Sequence, residues 1–284
     1  MAAGTASGAD PETGLQEVYG LCLSSPFRLP GAGVATSIRA DLTIVEGPAI
    51  LPEAAQQRGP YRQLGERIAL TIPDAGRFLL AGPGRLEVAP KPGVDPEVLA
   101  AFLVASGLPM LLWQRGGMLL HASGIELGGK AIAIAGPSGV GKSTLAGALL
   151  ERGGRLIGDD TLWLADPANP ALAAGLSGGQ FLRIGSDIRF DALPPQRRSG
   201  ARALDAVVIL SRGPVEPSRL GPIEAVRALL QLRHRPAVPA MLGRDSAVLG
   251  HCTRLAARVP IIRLGLEEGA IERGAAELAE LARG

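Results

Sequence analysis

The sequence predicts a smaller β-rich domain over residues 1–116, followed by an α/β domain over residues 117–284. Three observations carry that prediction. Short apolar pieces broken by Pro and Gly fill the span from Val18 to Val88. A strand, a glycine-rich loop and a helix run in succession from Ala131 to Arg152. Strand and helix patterns then alternate to the C-terminus, as they do in α/β domains.

Composition narrows the class. The chain has 284 residues, 46% of them apolar, enough for one large or two ordinary domains with a sizeable core. A net charge of +2 gives no reason to expect a nucleic-acid or membrane partner. Only Lys91, Lys130 and Lys142 are lysines, and arginine supplies the rest of the 29 basic residues. Cys22 and Cys252 stand outside any metal-ligand spacing. Two unpaired thiols suit a reducing cytoplasm, with one structural disulfide as the alternative. Met1–Pro11 lacks the basic and apolar regions of a signal peptide. No run reaches the ~18 apolar residues that a spanning helix needs. A cytoplasmic protein is expected, with homo-oligomerisation left open.

The elements follow in order. Residues 1–16 read as a frayed polar tail. Leu42–Val45, Ile68–Ile72, Arg77–Leu80 and Arg85–Val88 read as strands. Asp95 is a plausible N-cap and Pro96 a good first helical residue. The apolar run Val98–Trp113, interrupted by Gly107 and Pro109, reads as two short helices or one kinked one. Met118–Glu126 and Lys130–Ala135 form a hairpin around Leu127-Gly-Gly129. Arg155–Gly158, Thr161–Leu164, Gln180–Ile184, Leu204–Leu210 and Ile261–Leu264 are further strands. Pro222–His234, Arg244–Arg258 and Ile271–Ala282 are helices. No internal repeat is present.

Gly136-Pro-Ser-Gly-Val-Gly-Lys-Ser143 fits the phosphate-cradling pattern G-x-x-x-x-G-K-[ST] at every required position. Glycines let the backbone turn tightly and aim N–H groups at an anion. The new helix brings its positive end to the same spot. Gly136, Ser138, Gly139, Val140, Gly141, Lys142, Ser143 and Thr144 are therefore the candidate ATP-binding residues. Lys142 supplies a mobile charge for the phosphates, and Ser143 a hydroxyl for Mg²⁺. Asp159-Asp160 follows 17 residues after Lys142, at the end of an apolar strand. That strand is expected to return beside the loop's own strand and deliver both carboxylates to the phosphate end. Asp160 is the expected Mg²⁺ partner of Ser143. Asp159 is the expected base for an acceptor hydroxyl, tuned by His121, although adjacency leaves the two roles interchangeable. His234 and His251 have no suggestive spacing and read as surface residues.

The segment Leu120-His-Ala-Ser-Gly-Ile-Glu through Gly136–Ser143 to Arg155-Leu-Ile-Gly-Asp-Asp160 resembles the catalytic domain of bacterial HPr kinase/phosphorylase. That family places a His on the strand two before the loop, a G-x-S-G-x-G-K-S loop and an Asp-Asp pair at similar spacing. The resemblance implies a phosphoenolpyruvate-carboxykinase-like P-loop kinase fold. It also implies one site made by His121, Lys142, Ser143, Asp159 and Asp160. Where the family carries an E-I-R-G-L-G-type segment, this chain has Gly178-Gly-Gln-Phe-Leu-Arg-Ile184. Arg183 stands at that segment's Arg and is the candidate substrate contact. The lead-in Gln114-Arg-Gly-Gly-Met-Leu-Leu-His-Ala122 looks like that of HPr-kinase-related proteins from lasso-peptide gene clusters. These likenesses imply an ATP- and Mg²⁺-dependent serine kinase acting on a peptide or small protein, lasso-peptide precursors included. A bifunctional HPr kinase/phosphorylase, a nucleotide-sensing regulatory protein and a small-molecule kinase are the alternatives.

Overall fold

In a computed structural model the described residues are 14–166, 168–184, 187–213, 216–267 and 269–281. Nine strands precede the first helix: β1 (Leu15–Val18), β2 (Leu21–Ser24), β3 (Gly33–Val34), β4 (Leu42–Glu46), β5 (Gln56–Arg58), β6 (Tyr61–Leu64), β7 (Arg67–Ile72), β8 (Gly76–Gly82) and β9 (Arg85–Pro90). They form one sheet in the order β3-β1-β2-β4-β9-β8-β7-β6-β5. Pairing is antiparallel except that β4 lies parallel to both β2 and β9. Alternation sorts the faces. Phe78 and Leu80 enter the main core, while Leu79 packs with Ala49, Leu51 and Ala55 on the other side. The expected polar tail is shorter than predicted, because Leu15 and Gln16 already pair in β1. The Gln16 amide bonds the backbone of Phe27 and Leu29. A tail judged by polarity alone misses such side-chain anchoring.

The apolar run after Asp95 is one continuous helical unit. Asp95 caps α1 (Pro96–Phe102), which passes through a π turn (Leu103–Gly107) into α2 (Leu108–Arg115). Pro109 explains the irregularity. It has no N–H, so the carbonyl of Ala105 loses its α-helical donor. This is the one segment among the described residues long and apolar enough to cross a bilayer, but 72% of its most apolar window is buried inside the fold. Its side chains join residues from Val18 to Ile261 in one core.

The second half is α/β. It contains β10 (Met118–Leu120), β11 (Ala122–Leu127), β12 (Lys130–Ala135), α3 (Lys142–Glu151), β13 (Arg155–Gly158), β14 (Leu162–Leu164) and β15 (Leu172–Ala174). Then come β16 (Gly179–Ile184), β17 (Asp187–Ala192), β18 (Arg202–Ala203), β19 (Ala206–Arg212) and β20 (Ser218–Arg219). The chain ends in α4 (Pro222–Gln231), α5 (Ala237–Met241), α6 (Asp245–Arg258), β21 (Ile261–Leu266) and α7 (Ile271–Leu281). The central sheet has the order β13-β11-β12-β19-β21-β20. β12, β19 and β21 are parallel, and their apolar runs suit a sheet covered on both faces. Helices α3 and α7 cover one face through Leu145, Leu149 and Leu278.

Two expectations need correction here. The strand before Asp159 does not lie beside the loop strand; β11 intervenes and pairs with both. Two antiparallel pairings in succession still point β13 the same way as β12, so both strands end at one edge of the sheet. The predicted strand Met118–Glu126 is also two strands broken at His121. β10 pairs with β14 in a separate sheet, while β11 joins the central one. The strands β15, β17, β18 and β20 and the short helix α5 were not predicted.

Candidate active site

Chain direction assembles the site. β12, β13 and β19 all finish at the same edge, and the glycine-rich loop fills it. Gly136, Gly139 and Gly141 take φ of 148°, 74° and 102°, which side chains rarely adopt. At Gly136 the constraint is also spatial, since a Cβ would lie 2.8 Å from the Leu210 carbonyl oxygen. Gly141 caps the ten-residue α3, so the helix opens directly onto the loop. Pro137, Ser138 and Gly139 are exposed, as are Ser143 and Thr144; Gly136, Val140 and Lys142 are buried. The Lys142 ammonium donates to the carbonyls of Gly136 (3.0 Å) and Pro137 (3.1 Å). Burial pushes its pKa down, against the pull of Asp160 and Asp159.

The two carboxylates face different ways. Asp160 has φ 65°, a left-handed conformation uncommon for a residue with a side chain. The backbone reverses there, so neighbours in sequence diverge in space. Asp159 accepts from the Ser123 hydroxyl and, at 3.2 Å, from Ser143 on the loop. Burial raises its pKa; the Asp160 charge adds to this, and the two serines oppose it. Asp160 instead meets His121, whose Nδ1 lies 3.0 Å from the Asp160 carbonyl oxygen and 3.3 Å from its carboxylate. The expected pairings were Ser143 with Asp160 and His121 with Asp159; the side chains pair the other way. The bend at residue 121 sets the imidazole toward Asp160.

His234 completes the constellation, and the expectation of a surface residue was wrong. It is buried, with Nδ1 3.9 Å from the Asp160 carboxylate and its ring 5.5 Å from that of His121. Its Nε2 is 3.1 Å from the Ala105 carbonyl, the acceptor left over by Pro109. That contact requires a proton on Nε2 and leaves Nδ1 as the lone-pair nitrogen. The Thr161 hydroxyl approaches Nδ1 at 3.3 Å. Burial lowers the pKa of His234 and favours the neutral ring, against the pull of the Asp160 charge. Trp113 fixes the backbone by donating to the His234 carbonyl at 2.8 Å. His251 is also buried rather than on the surface, with Nε2 3.2 Å from the Pro170 carbonyl, away from the site. Tyr19 was missed as well: buried, it bonds Thr161, and burial together with the Asp160 charge pushes its phenol pKa upward.

Backbone strain gathers here. Among the described residues, four besides glycine have positive φ, and Tyr19, Asp160 and Arg235 all lie around this constellation. Such strain clusters where structure over-determines a site. Beside it opens a cleft of about 1010 Å³. Gly136–Ser138, His121, Asp160 and residues 231–237 all line it. Tyr61 contributes from the N-terminal sheet. Arg183 lies in the β16–β17 hairpin opposite Ile188, and its side chain is outside the described residues.

The donor sets can be matched to ligands. A hydroxyl and a carboxylate, Ser143 and Asp159, beside a glycine-rich loop at a helix N-terminus suit a hard cation such as Mg²⁺. No protein-family model and no curated protein matches the chain. Among solved structures it is similar to the Hpr(Ser) kinase/phosphatase from Coxiella burnetii. The identity is 13% and the TM-score 0.38, over 58% of this chain and 95% of that one.

Proposed function

We propose that this chain is an ATP-dependent phosphotransferase that phosphorylates a serine hydroxyl on a peptide or small protein. The observation that carries the reading is the division of labour between adjacent carboxylates. Asp159 turns to the loop serine, and Asp160 lines the substrate-sized cleft. Loop amides from Gly139 to Thr144, with Lys142, hold the phosphates. Ser143 and Asp159 hold Mg²⁺, which when bound neutralises charge on the phosphate oxygens. Asp160, held by His121, accepts the proton as the acceptor oxygen bonds to the terminal phosphorus. The bond from that phosphorus to the bridging oxygen breaks, and ADP leaves. The cleft is lined by residues 231–237 as well as by His121 and Asp160, and a serine-bearing peptide segment is the acceptor assigned to it on this reading. A ribosomal precursor peptide is the finer candidate, as the lasso-cluster likeness suggests.

A single-turnover assay with γ-labelled ATP and serine peptides tests this. Label is expected on serine with the native chain and not with Asp160→Asn. Nucleotide binding with no transfer to any peptide or protein acceptor would leave a nucleotide sensor as the better reading.

A further inference from the structure

We propose that His121, Asp160 and His234 form a binding site for one borderline divalent ion of the Zn²⁺ or Co²⁺ type, distinct from the oxygen set at Ser143 and Asp159. Each of the three side chains offers one ligand atom, and these atoms lie within 4.8 Å of one another. The closest pairs are His121 Nδ1 with Asp160 Oδ1 at 3.3 Å and His234 Nδ1 with Asp160 Oδ2 at 3.9 Å. His121 Nδ1 also lies 3.0 Å from the Asp160 carbonyl oxygen, so an ion between the three side chains must displace that N–H contact before two nitrogens and one oxygen can enter its coordination sphere. Three protein ligands with an open side toward a cleft leave room for an exchangeable ligand.

Donor chemistry separates the two ions. Mg²⁺ prefers oxygen ligands and keeps several waters. Imidazole nitrogens favour Zn²⁺, Co²⁺ or Ni²⁺. Outer contacts also fit. A ligating His almost always donates its other N–H to a carbonyl or carboxylate, which orients the ring. His234 does this through Nε2 to Ala105, a carbonyl that Pro109 frees from the helix. Trp113 pins the same residue by its backbone. These contacts orient Nδ1 toward Asp160 whether or not a metal is present. On the reading given above, Asp160 is also the proton acceptor. An ion here would occupy it and switch transfer off, which makes the site inhibitory.

Co²⁺ absorption and equilibrium dialysis test the site without any activity measurement. The full-length chain should take up one equivalent at micromolar Co²⁺ and show visible bands that Zn²⁺ removes and millimolar Mg²⁺ does not. His234→Asn and His121→Asn should each weaken Co²⁺ binding by at least ~10-fold while circular dichroism and nucleotide binding stay native. Asp159→Asn should keep Co²⁺ binding. No stoichiometric uptake, or uptake that His234→Asn leaves unchanged, overturns the proposal. Loss of Co²⁺ binding in Asp159→Asn alone places the ion at the oxygen set and overturns it equally. The separate kinase reading stands or falls on label transfer, whatever the Co²⁺ result.

Discussion

The central sheet carries carboxylates at both ends, and the two ends treat them in opposite ways. Glu126 lies at the edge away from the loop. Arg155 Nη2 donates to it at 2.5 Å, Arg202 Nε at 2.9 Å, and the Ser199 hydroxyl closes the set. Burial opposes its charge, but those donors outweigh burial and hold its pKa down at about 2. At the other edge, neither Asp159 nor Asp160 pairs with an arginine or lysine among the described residues. Their partners are hydroxyls and imidazoles. One end is neutralised by cations; the other has no cationic side chain paired with it among the described residues. A carboxylate that only stabilises is surrounded by cations, whereas one that must bind a metal or take a proton is left with weak partners.

The largest effects should come from breaking the second end. Asp160→Asn removes the proposed proton acceptor and keeps the shape. Transfer should fall by ~10²–10⁴-fold, with nucleotide affinity nearly unchanged. Asp159→Asn should instead weaken Mg²⁺-dependent nucleotide binding. Calorimetry with Mg·ATP alongside the label-transfer assay separates the two. The reverse outcome would restore the roles first expected from sequence. Lys142→Ala removes the lysine assigned above to the phosphates, and turnover should fall by ~10²-fold or more. Near-native turnover would sink the phosphate assignment.

How much of this was legible follows from range. The loop and its helix are a local pattern of eight residues, so the sequence shows them directly. The carboxylate pair was legible because strand, loop and helix lengths between Lys142 and Asp159 leave few ways to return. Which carboxylate faces which partner was not. It depends on a left-handed φ at Asp160, a residue type that permits but does not announce that conformation. His234 was invisible for a different reason. It reaches the site because Trp113 and the Ala105 carbonyl hold it, contacts 121 and 129 residues away in sequence. No spacing rule encodes such a link. Tyr19, from the N-terminal sheet, is the same case.

A smaller effect sharpens the stabilising end. Glu126→Gln removes the charge that Arg155 and Arg202 share, and both guanidiniums are nearly half exposed. Water can partly replace the lost partner, so the cost should be on the order of 1–2 kcal/mol rather than that of a fully buried pair. Its pH dependence has a definite sign. The folded pKa lies below the ordinary 4.5, so this stability is present above that value and lost as pH falls toward about 2. Urea midpoints of native and Glu126→Gln chains should differ at pH 7 and converge near pH 2. A constant gap would mean that shape, not charge, does the holding.

The smallest effect should have the opposite sign. Burial raises the pKa of Asp159, so ionisation is less favourable in the folded chain than in the unfolded one. The linkage reverses with it: the penalty is absent below the ordinary carboxylate pKa and full above the folded value. Asp159→Asn removes the charge and should therefore stabilise the protein at pH 7. Single stabilising substitutions commonly gain ~0.5–2 kcal/mol. Part of that is offset here by weaker hydrogen bonds from Ser123 and Ser143, which donate less strongly to an amide than to a carboxylate. A rise in melting temperature of about 1–3 °C is expected. It should be measured without nucleotide or Mg²⁺, because either would add binding energy to the native chain alone. The gain should shrink as pH is lowered through the range where Asp159 takes up its proton, while the Glu126→Gln deficit shrinks at still lower pH. If Asp159→Asn instead melts lower at pH 7, Asp159 is held as firmly as Glu126, and the contrast between the two ends of the sheet fails.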